Sequence, residues 1–222
     1  MTDADTTRAE PPLIAMVDYG MGNRRSVEKA LLRVGARVER TADPARLAAA
    51  DGLLLPGVGA VPAAMRAIRR LDLEGPLREH AAAGRPLLGA CMGMQLLFDG
   101  SEEHGGAEAL GIIPGAVRRL RAPGRVLPHM GWSEVRWARP SPLAEGLPDP
   151  TALYHVHTFA CHPADEDVVL GWAEHGERFA SVVGQGMTFG AQSHPEKSST
   201  HGLALLANFA RLCARVKETS PA

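Results

Sequence analysis

The sequence predicts an α/β fold: an open, mostly parallel or mixed central sheet with helices on both faces, and antiparallel strands in the second half. Three observations carry this. In the first half, short apolar runs bounded by Asp, Gly or Pro alternate with helical patterns. In the second half, strand-like runs follow one another with Pro and Gly turns between them. A single long helical pattern closes the chain. Alternation calls for parallel strands covered on both faces, whereas successive strands joined by short turns pair antiparallel.

The elements follow in order. "LIAMVDYG" (13–20) is a buried strand by its length and flanks. In "NRRSVEKALLRVG", Val27, Ala30, Leu31 and Val34 fall on one helical face and Gly35 is placed to end it. "ARVER" is a second strand, "DPARLAAA" a short helix, and "GLLLPGVGA" (52–60) a third strand running into a glycine-rich loop. "AVPAAMRAIRRLDLEGPLREHAAAG" is helical in two pieces, "RPLLGA" a fourth strand, and "MGMQLLFDGSEE" a helix. "AVRRL", "EVRWA", "ALYHVHTFAC", "VVLGWAEH", "FASVVGQG" and "MTFGAQSHP" are strands. In the closing helix Leu203, Leu206, Phe209 and Leu212 recur at threes. No repeat or linker interrupts residues 12–216, so residues 13–216 read as one domain, with 1–12 a flexible polar leader and 217–222 a tail.

At 222 residues and 45% hydrophobic, the chain can bury a real core. A net charge of -1 argues against a general nucleic-acid binder. No apolar segment reaches membrane-spanning length, and the acidic start is not a signal peptide. Cys91, Cys161 and Cys213 are widely spread and cannot all pair, which fits free thiols in a reducing cytoplasm. A small-molecule enzyme or an interaction module remains.

"GACMGMQLL" (89–97) carries the chemistry. Strand, Gly, any residue, Cys, any residue, Gly, helix is the nucleophile-elbow pattern with cysteine as the nucleophile. The turn pushes the side chain out at the carboxyl edge of the sheet, where open α/β folds bind ligands. The helix start favours negative charge there, and the Met92 N–H can donate to an oxyanion. The competing reading is a buried core cysteine. A thiol that cleaves an amide also needs a base and an orienting group. In "GAQSHPEKSS" (190–199), His194 and Glu196 stand two apart, so an extended segment would point both the same way. A plain surface loop is the alternative for that tripeptide. The Pro-Gly-x-Gly loop of "LLLPGVGA" could supply a second oxyanion donor near Cys91.

Two further motifs were weighed. In "YHVHTFACH" (154–162), His155, His157, Cys161 and His162 are all possible metal ligands. Their spacing matches no standard zinc pattern, so one face of this strand is expected to pack and the other to line a pocket, with no metal. "DYGMGN" (18–23) invites a dinucleotide reading, but Arg25 stands where the third glycine belongs. No cofactor is expected.

Taken together, "GACMGMQLLFDGSEE", "LLLPGVGA" and "SHPEKSS" resemble the cysteine-triad class I glutamine amidotransferases. "VDYGMGNRRSVEKAL", "PHMGWSEV" and "YHVHTF" narrow the resemblance, which spans about residues 13–212, to the glutaminase subunits of imidazole glycerol phosphate synthases. The resemblance implies that Cys91 attacks the glutamine amide, that His194 protonates the leaving ammonia and then activates water, and that Glu196 orients His194. It implies oxyanion donors at Met92 and in the Gly57–Val58–Gly59 loop, and a glutamine site at Gln95, Thr158 and Phe159. It further implies a heterodimer with a (β/α)8-barrel cyclase that receives the ammonia, in histidine biosynthesis. Asn23, Trp132 and Lys197 would face that cyclase or the gate between the sites. Ser193 and Ser133 depart from the family pattern, where an aromatic and an asparagine are common. A glutaminase serving another synthase, such as pyridoxal phosphate synthesis, and a non-catalytic regulatory subunit are the alternatives. The first is disfavoured by "DYGMGN" and "HMGW", the second by an intact Cys91, His194 and Glu196.

Overall fold

The structure is a computed structural model that describes residues 10–219, with side chains through residue 216. Most of the expected leader and the last three residues of the expected tail lie outside the described residues. The first half alternates as β1 (Leu13–Val17), α1 (Arg24–Arg33), β2 (Arg37–Thr41), α2 (Pro44–Ala49), β3 (Gly52–Leu55), α3 (Val61–Arg70), α4 (Glu74–Ala82), β4 (Leu87–Ala90) and α5 (Met92–Leu96). The second half is nearly all strand: β5 (Gly100–Ser101), β6 (Ala107–Glu108), β7 (Gly115–Arg119), β8 (His129–Trp137), β9 (Thr151–His157), β10 (Phe159–Pro163), β11 (Val169–His175), β12 (Glu177–Gln185) and β13 (Thr188–Ala191). The closing helix α6 spans Ser199–Thr219, three residues beyond the expected domain end.

The main sheet has nine strands in the order β2-β1-β3-β4-β13-β12-β11-β8-β9. The pairings from β2 through β13 are parallel, and those from β13 outward are antiparallel. Side-chain alternation divides the core between the two faces. Ala15, Val17, Leu53, Leu55 and Leu87 point to the face covered by Leu47 of α2, Met65 and Ile68 of α3 and Leu77 of α4. Ile14, Met16, Leu54 and Leu88 point to the other, against Val27 and Leu31 of α1 and Leu206 and Phe209 of α6. Local signals set the helix ends. Asp43 accepts the Ala45 N–H at 2.9 Å ahead of Pro44 in the first turn of α2. Gly35, at φ +87°, follows α1.

Three expectations need correction. The helix over 92–103 stops at Leu96, because the N–H groups of Leu110, Gly111, Ile112 and Ile113 take the carbonyls of Leu96, Phe98 and Leu97. A distant loop therefore satisfies the helix end. "ALYHVHTFAC" is two strands, broken at Thr158: β9 belongs to the main sheet and β10 to a second sheet. That second sheet, β10-β7-β5-β6, was not expected; β5 and β6 are too short to show a period in sequence.

The β8–β9 ladder pairs His129 with His157 and Gly131 with His155. On its inner face His129, His155 and His157, at 3%, 0% and 6% exposure, surround Phe179, and His175 stacks on His129 at 4.2 Å. Hydrogen bonds assign the tautomers. His155 Nδ1 donates to the Leu153 carbonyl, so its Nε2 accepts from Ser181 Oγ. His157 Nδ1 donates to the Phe159 carbonyl at 3.0 Å. Its Nε2 then accepts from His129 Nδ1 at 3.0 Å, and His129 Nε2 accepts from Ser133 Oγ at 3.0 Å. Burial disfavours the charged form of all three rings.

Two predictions follow from this architecture. Burial pushes the pKa of His129 and His80 down to about 4 and of His157 to about 3, and that of His155 well down. The unfolded chain therefore binds more protons below the ordinary histidine range, and stability falls as pH drops from about 6.5 toward these values. Each such ring should cost roughly 2 kcal/mol between pH 7 and pH 5, read as a lower guanidinium midpoint; equal midpoints would contradict neutral buried rings. Second, two helical glycines should respond oppositely to alanine. At Gly93 in α5 a Cβ would stand 1.8 Å from the Leu55 carbonyl oxygen, whereas at Gly75 in α4 it meets nothing within 4 Å. Thermal unfolding should show Gly75→Ala stabilised by up to about 1 kcal/mol and Gly93→Ala destabilised by roughly 3 kcal/mol or more.

Candidate active site

Cys91 occupies the junction of β4 and α5 at φ 53°, ψ -112°, a conformation that costs energy for any residue with a Cβ. Surrounding hydrogen bonds hold it there. Its N–H donates to Ala191 of β13 at 2.7 Å, and its carbonyl accepts from Met94 at 3.0 Å. The flanking glycines make the turn possible by contact. A Cβ on Gly89 would lie 2.5 Å from the Gly93 carbonyl oxygen, and Gly93 presses on Leu55 as described. The sulfur lies 3.8 Å from the Val156 carbonyl and 3.8 Å from the Gln192 amide nitrogen.

His194 follows β13, the strand beside β4, so sheet order alone brings it next to Cys91. Its backbone N–H donates to the Tyr154 carbonyl at 2.8 Å. The segment after it is not extended. Pro195–Lys197 is a tight helical turn, because Pro195 suits the first turn position and the Lys197 N–H returns to the His194 carbonyl at 2.9 Å. The carboxylate still reaches the ring: His194 Nδ1 lies 2.9 Å from Glu196 Oε1, with both side chains almost fully buried. Nε2 is left for the Cys91 thiol. Burial alone would lower the His194 pKa, but hydrogen bonds to Cys91 and Glu196 raise it to about 10. Burial likewise opposes the charge on Glu196, yet its bonds to His194 and Asn23 hold its pKa below the usual carboxylate value.

These groups open on a cavity of about 300 Å³ lined by Val58, Gly59, Cys91, Met92, Gln95, Glu103, Pro128, Val156, His157, Thr158, Phe159, His194 and Lys197. Gln95 donates to the Phe159 carbonyl at 2.9 Å and to Gln192 Oε1 at 3.2 Å. The Gly57–Val58–Gly59 loop follows Pro56, whose carbonyl accepts from the buried Tyr19 hydroxyl. Gly57 sits against Met92 and Gly93, and Gly59 takes φ +106°. Of the three residues expected at a partner face or gate, Lys197 lines the cavity. Trp132 is 54% exposed, edge-on to Tyr154 at 5.9 Å. Asn23 donates its side-chain amide to Glu196 Oε1 at 3.2 Å, behind the histidine.

Three contributors were not singled out from the sequence. Gln192 has the same strand parity as His194, a signal that could have found it. Tyr19 and His129 carry no such local signal, whereas His157 lies on the strand expected to line a pocket and does line the cavity. Ser133, whose side chain was in question, turns inward to His129. Ser193 Oγ is buried without a hydrogen-bond partner among the described residues. Cys161 and His162 lie on β10, away from the face that carries His155 and His157, and no group of three or more His, Cys, Asp or Glu among the described residues could hold a metal ion.

Residues 15–213 match the family model "Glutamine amidotransferase class-I". The chain is 50% identical to imidazole glycerol phosphate synthase subunit HisH of Moorella thermoacetica, covering 90% of this chain and 94% of that one. It is 46% identical to the subunit of the same name from Salinibacter ruber, over 90% and 94%. Among solved structures, a glutamine amidotransferase superposes with TM-score 0.69 at 24% identity, covering 90% of this chain and 98% of that one. PurLQS from Thermotoga maritima superposes with TM-score 0.70 at 17% identity, over 92% and 98%, a likeness of fold. The chain belongs to the class-I glutamine amidotransferases and, within them, to the HisH family of imidazole glycerol phosphate synthase subunits.

Proposed function

We propose that the chain hydrolyses glutamine to glutamate and ammonia through Cys91, His194 and Glu196, and hands the ammonia to a partner cyclase. The supporting observation is the buried His194–Glu196 pair, 2.9 Å apart, with Cys91 acting on the same imidazole at the wall of one cavity. In this reading the thiol proton rests on His194, whose raised pKa favours the imidazolium, and the sulfur attacks the side-chain carboxamide carbon of glutamine. The oxyanion forms beside the Met92 N–H and an N–H of the Gly57–Val58–Gly59 loop. His194 gives its proton to the departing nitrogen, which leaves as ammonia, and a glutamyl thioester remains. Water, deprotonated by His194, attacks the thioester; glutamate leaves and the thiol is restored. Glu196 holds Nδ1 protonated and stabilises the imidazolium. Gln95, Thr158 and Phe159 hold the glutamine.

The partner we propose is a (β/α)8-barrel cyclase that turns the ammonia and a ribulosyl nucleotide into imidazole glycerol phosphate and an aminoimidazole carboxamide ribotide, in histidine biosynthesis in the cytoplasm. The related proteins are named as subunits of that synthase. The apolar side chains of Val58, Met130 and Trp132, at 41%, 63% and 54% exposure, suit a docking face. No helix among the described residues is long and apolar enough to cross a membrane.

Cys91→Ala should lower glutamate release by about 10⁴-fold or more while ammonium salt still drives the cyclase in its complex. Loss of the ammonium-driven reaction would sink the division of labour. Glu196→Ala should be milder than His194→Ala by about ten- to a hundredfold in kcat; equal losses would give Glu196 another role. Removing the carboxylate lowers the His194 pKa, so the alkaline limb of the kcat/KM profile should move to lower pH in Glu196→Gln. An unmoved limb would assign it to another group.

A further inference from the structure

From the hydrogen-bond directions on the β8–β9 hairpin, we infer that His129 and His157 are positioning residues for glutamine, acting on Gln95 through the Phe159 carbonyl. The inference rests on the glutaminase reading for its substrate, and on geometry for everything else.

The donors run in one consistent order. Ser133 Oγ donates to His129, His129 to His157, and His157 to the Phe159 carbonyl. That carbonyl accepts a second bond, from Gln95 Nε2, and the other hydrogen of that amide goes to Gln192. Gln192 in turn points its own amide at the Cys91 sulfur. With both amide hydrogens committed, Gln95 can present only its carbonyl oxygen to the cavity it lines. An acceptor there suits the donors of glutamine, its α-ammonium or carboxamide N–H₂, and disfavours a carboxylate.

The two imidazoles decide whether this orientation holds. Phe159 begins β10 directly after the break at Thr158, so no strand ladder with β9 fixes its carbonyl. Pairing with Arg119 of β7 holds the Phe159 backbone, and its carbonyl takes its bonds from His157 Nδ1 and Gln95 Nε2. The neutral Nδ1–H tautomer of His157 leaves Nε2 an acceptor, and His129 Nδ1–H is the donor that meets it and favours this tautomer. Protonating His157 would set two N–H groups facing each other across 3.0 Å, and protonating His129 would turn an Nε2–H toward Ser133 Oγ and reverse that bond. The other titratable groups facing the pair are His155, His175 and His194, and the low pKa of both rings agrees with the neutral form. The outer side of the same β8 segment carries Met130 and Trp132. A change in that strand therefore reaches Gln95 through bonds rather than through the apolar core.

The test has two arms on the full chain bound to its cyclase. Asparagine places an amide N–H where histidine carries Nδ1–H. His157→Leu and His129→Leu should raise the KM for glutamine about tenfold, the weight of one lost buried hydrogen bond, with kcat within about threefold. His157→Asn and His129→Asn should restore KM to within about threefold of the parent. An unchanged KM in folded leucine variants, or equal loss in kcat without rescue by asparagine, overturns the inference. The second arm reads imidazole ¹⁵N shifts of the wild-type chain from pH 5 to 8. Both rings should stay neutral and Nδ1-protonated. An Nε2–H tautomer on His157, or titration of either ring within that range, overturns the inference even if no glutamate is released. Failure of glutamate release with both tautomers as stated would instead remove the glutaminase reading.

Discussion

Everything at the candidate site depends on how closely α5 approaches the sheet. Side chains normally hold a helix off the strands beneath it. At Gly93 there is no side chain, and the helix backbone rests on the Leu55 carbonyl; at Gly89 the strand gives way in the same manner. The contact forces the chain to turn within one residue, and that residue is Cys91, held at positive φ by backbone bonds on both sides. Relaxing the approach would tilt α5 and move the Met92 N–H, the sulfur and Gln95 together, since all three belong to one short rigid piece. The strain is small compared with the core that enforces it: Leu53, Leu54, Leu55, Met92, Met94 and Leu96 are fully or almost fully buried.

The charged pair is built on a different economy. His194 and Glu196 are buried, and burial by itself disfavours both charges. Each is offset by specific partners: the thiol and carboxylate for the ring, the ring and Asn23 for the carboxylate. A few residues away, His129, His155 and His157 meet the same desolvation with no carboxylate and remain neutral. One chain thus holds two kinds of buried histidine within one region, separated by the presence or absence of an acid within hydrogen-bond reach.

Most of the fold and the centre of the site were legible in the sequence because their determinants are local. The elbow needs only glycines two residues either side of Cys91, and His194 and Glu196 are neighbours in the chain. The parallel pairing of the first-half strands follows from alternation. What escaped is set by long-range partners. The end of α5 depends on N–H groups of residues 110–113. The second sheet depends on pairing between β7 and β10 far apart in sequence. Asn23 reaches Glu196 across 173 positions, and no spacing rule spans that distance. Even the His-Pro-Glu geometry was reached by another route than expected, since the proline turns the chain and the carboxylate still returns to the ring.

The position of β13 has a consequence for how the protein comes into being. This strand is made after the other twelve but sits in the middle of the main sheet, between β4 and β12. Until it is made, β4 is an open edge, the Cys91 N–H lacks its Ala191 acceptor, and no imidazole stands beside the sulfur. Insertion of this strand completes the sheet and brings His194 to Cys91 in the same event. Formation of the candidate site and completion of the sheet therefore coincide.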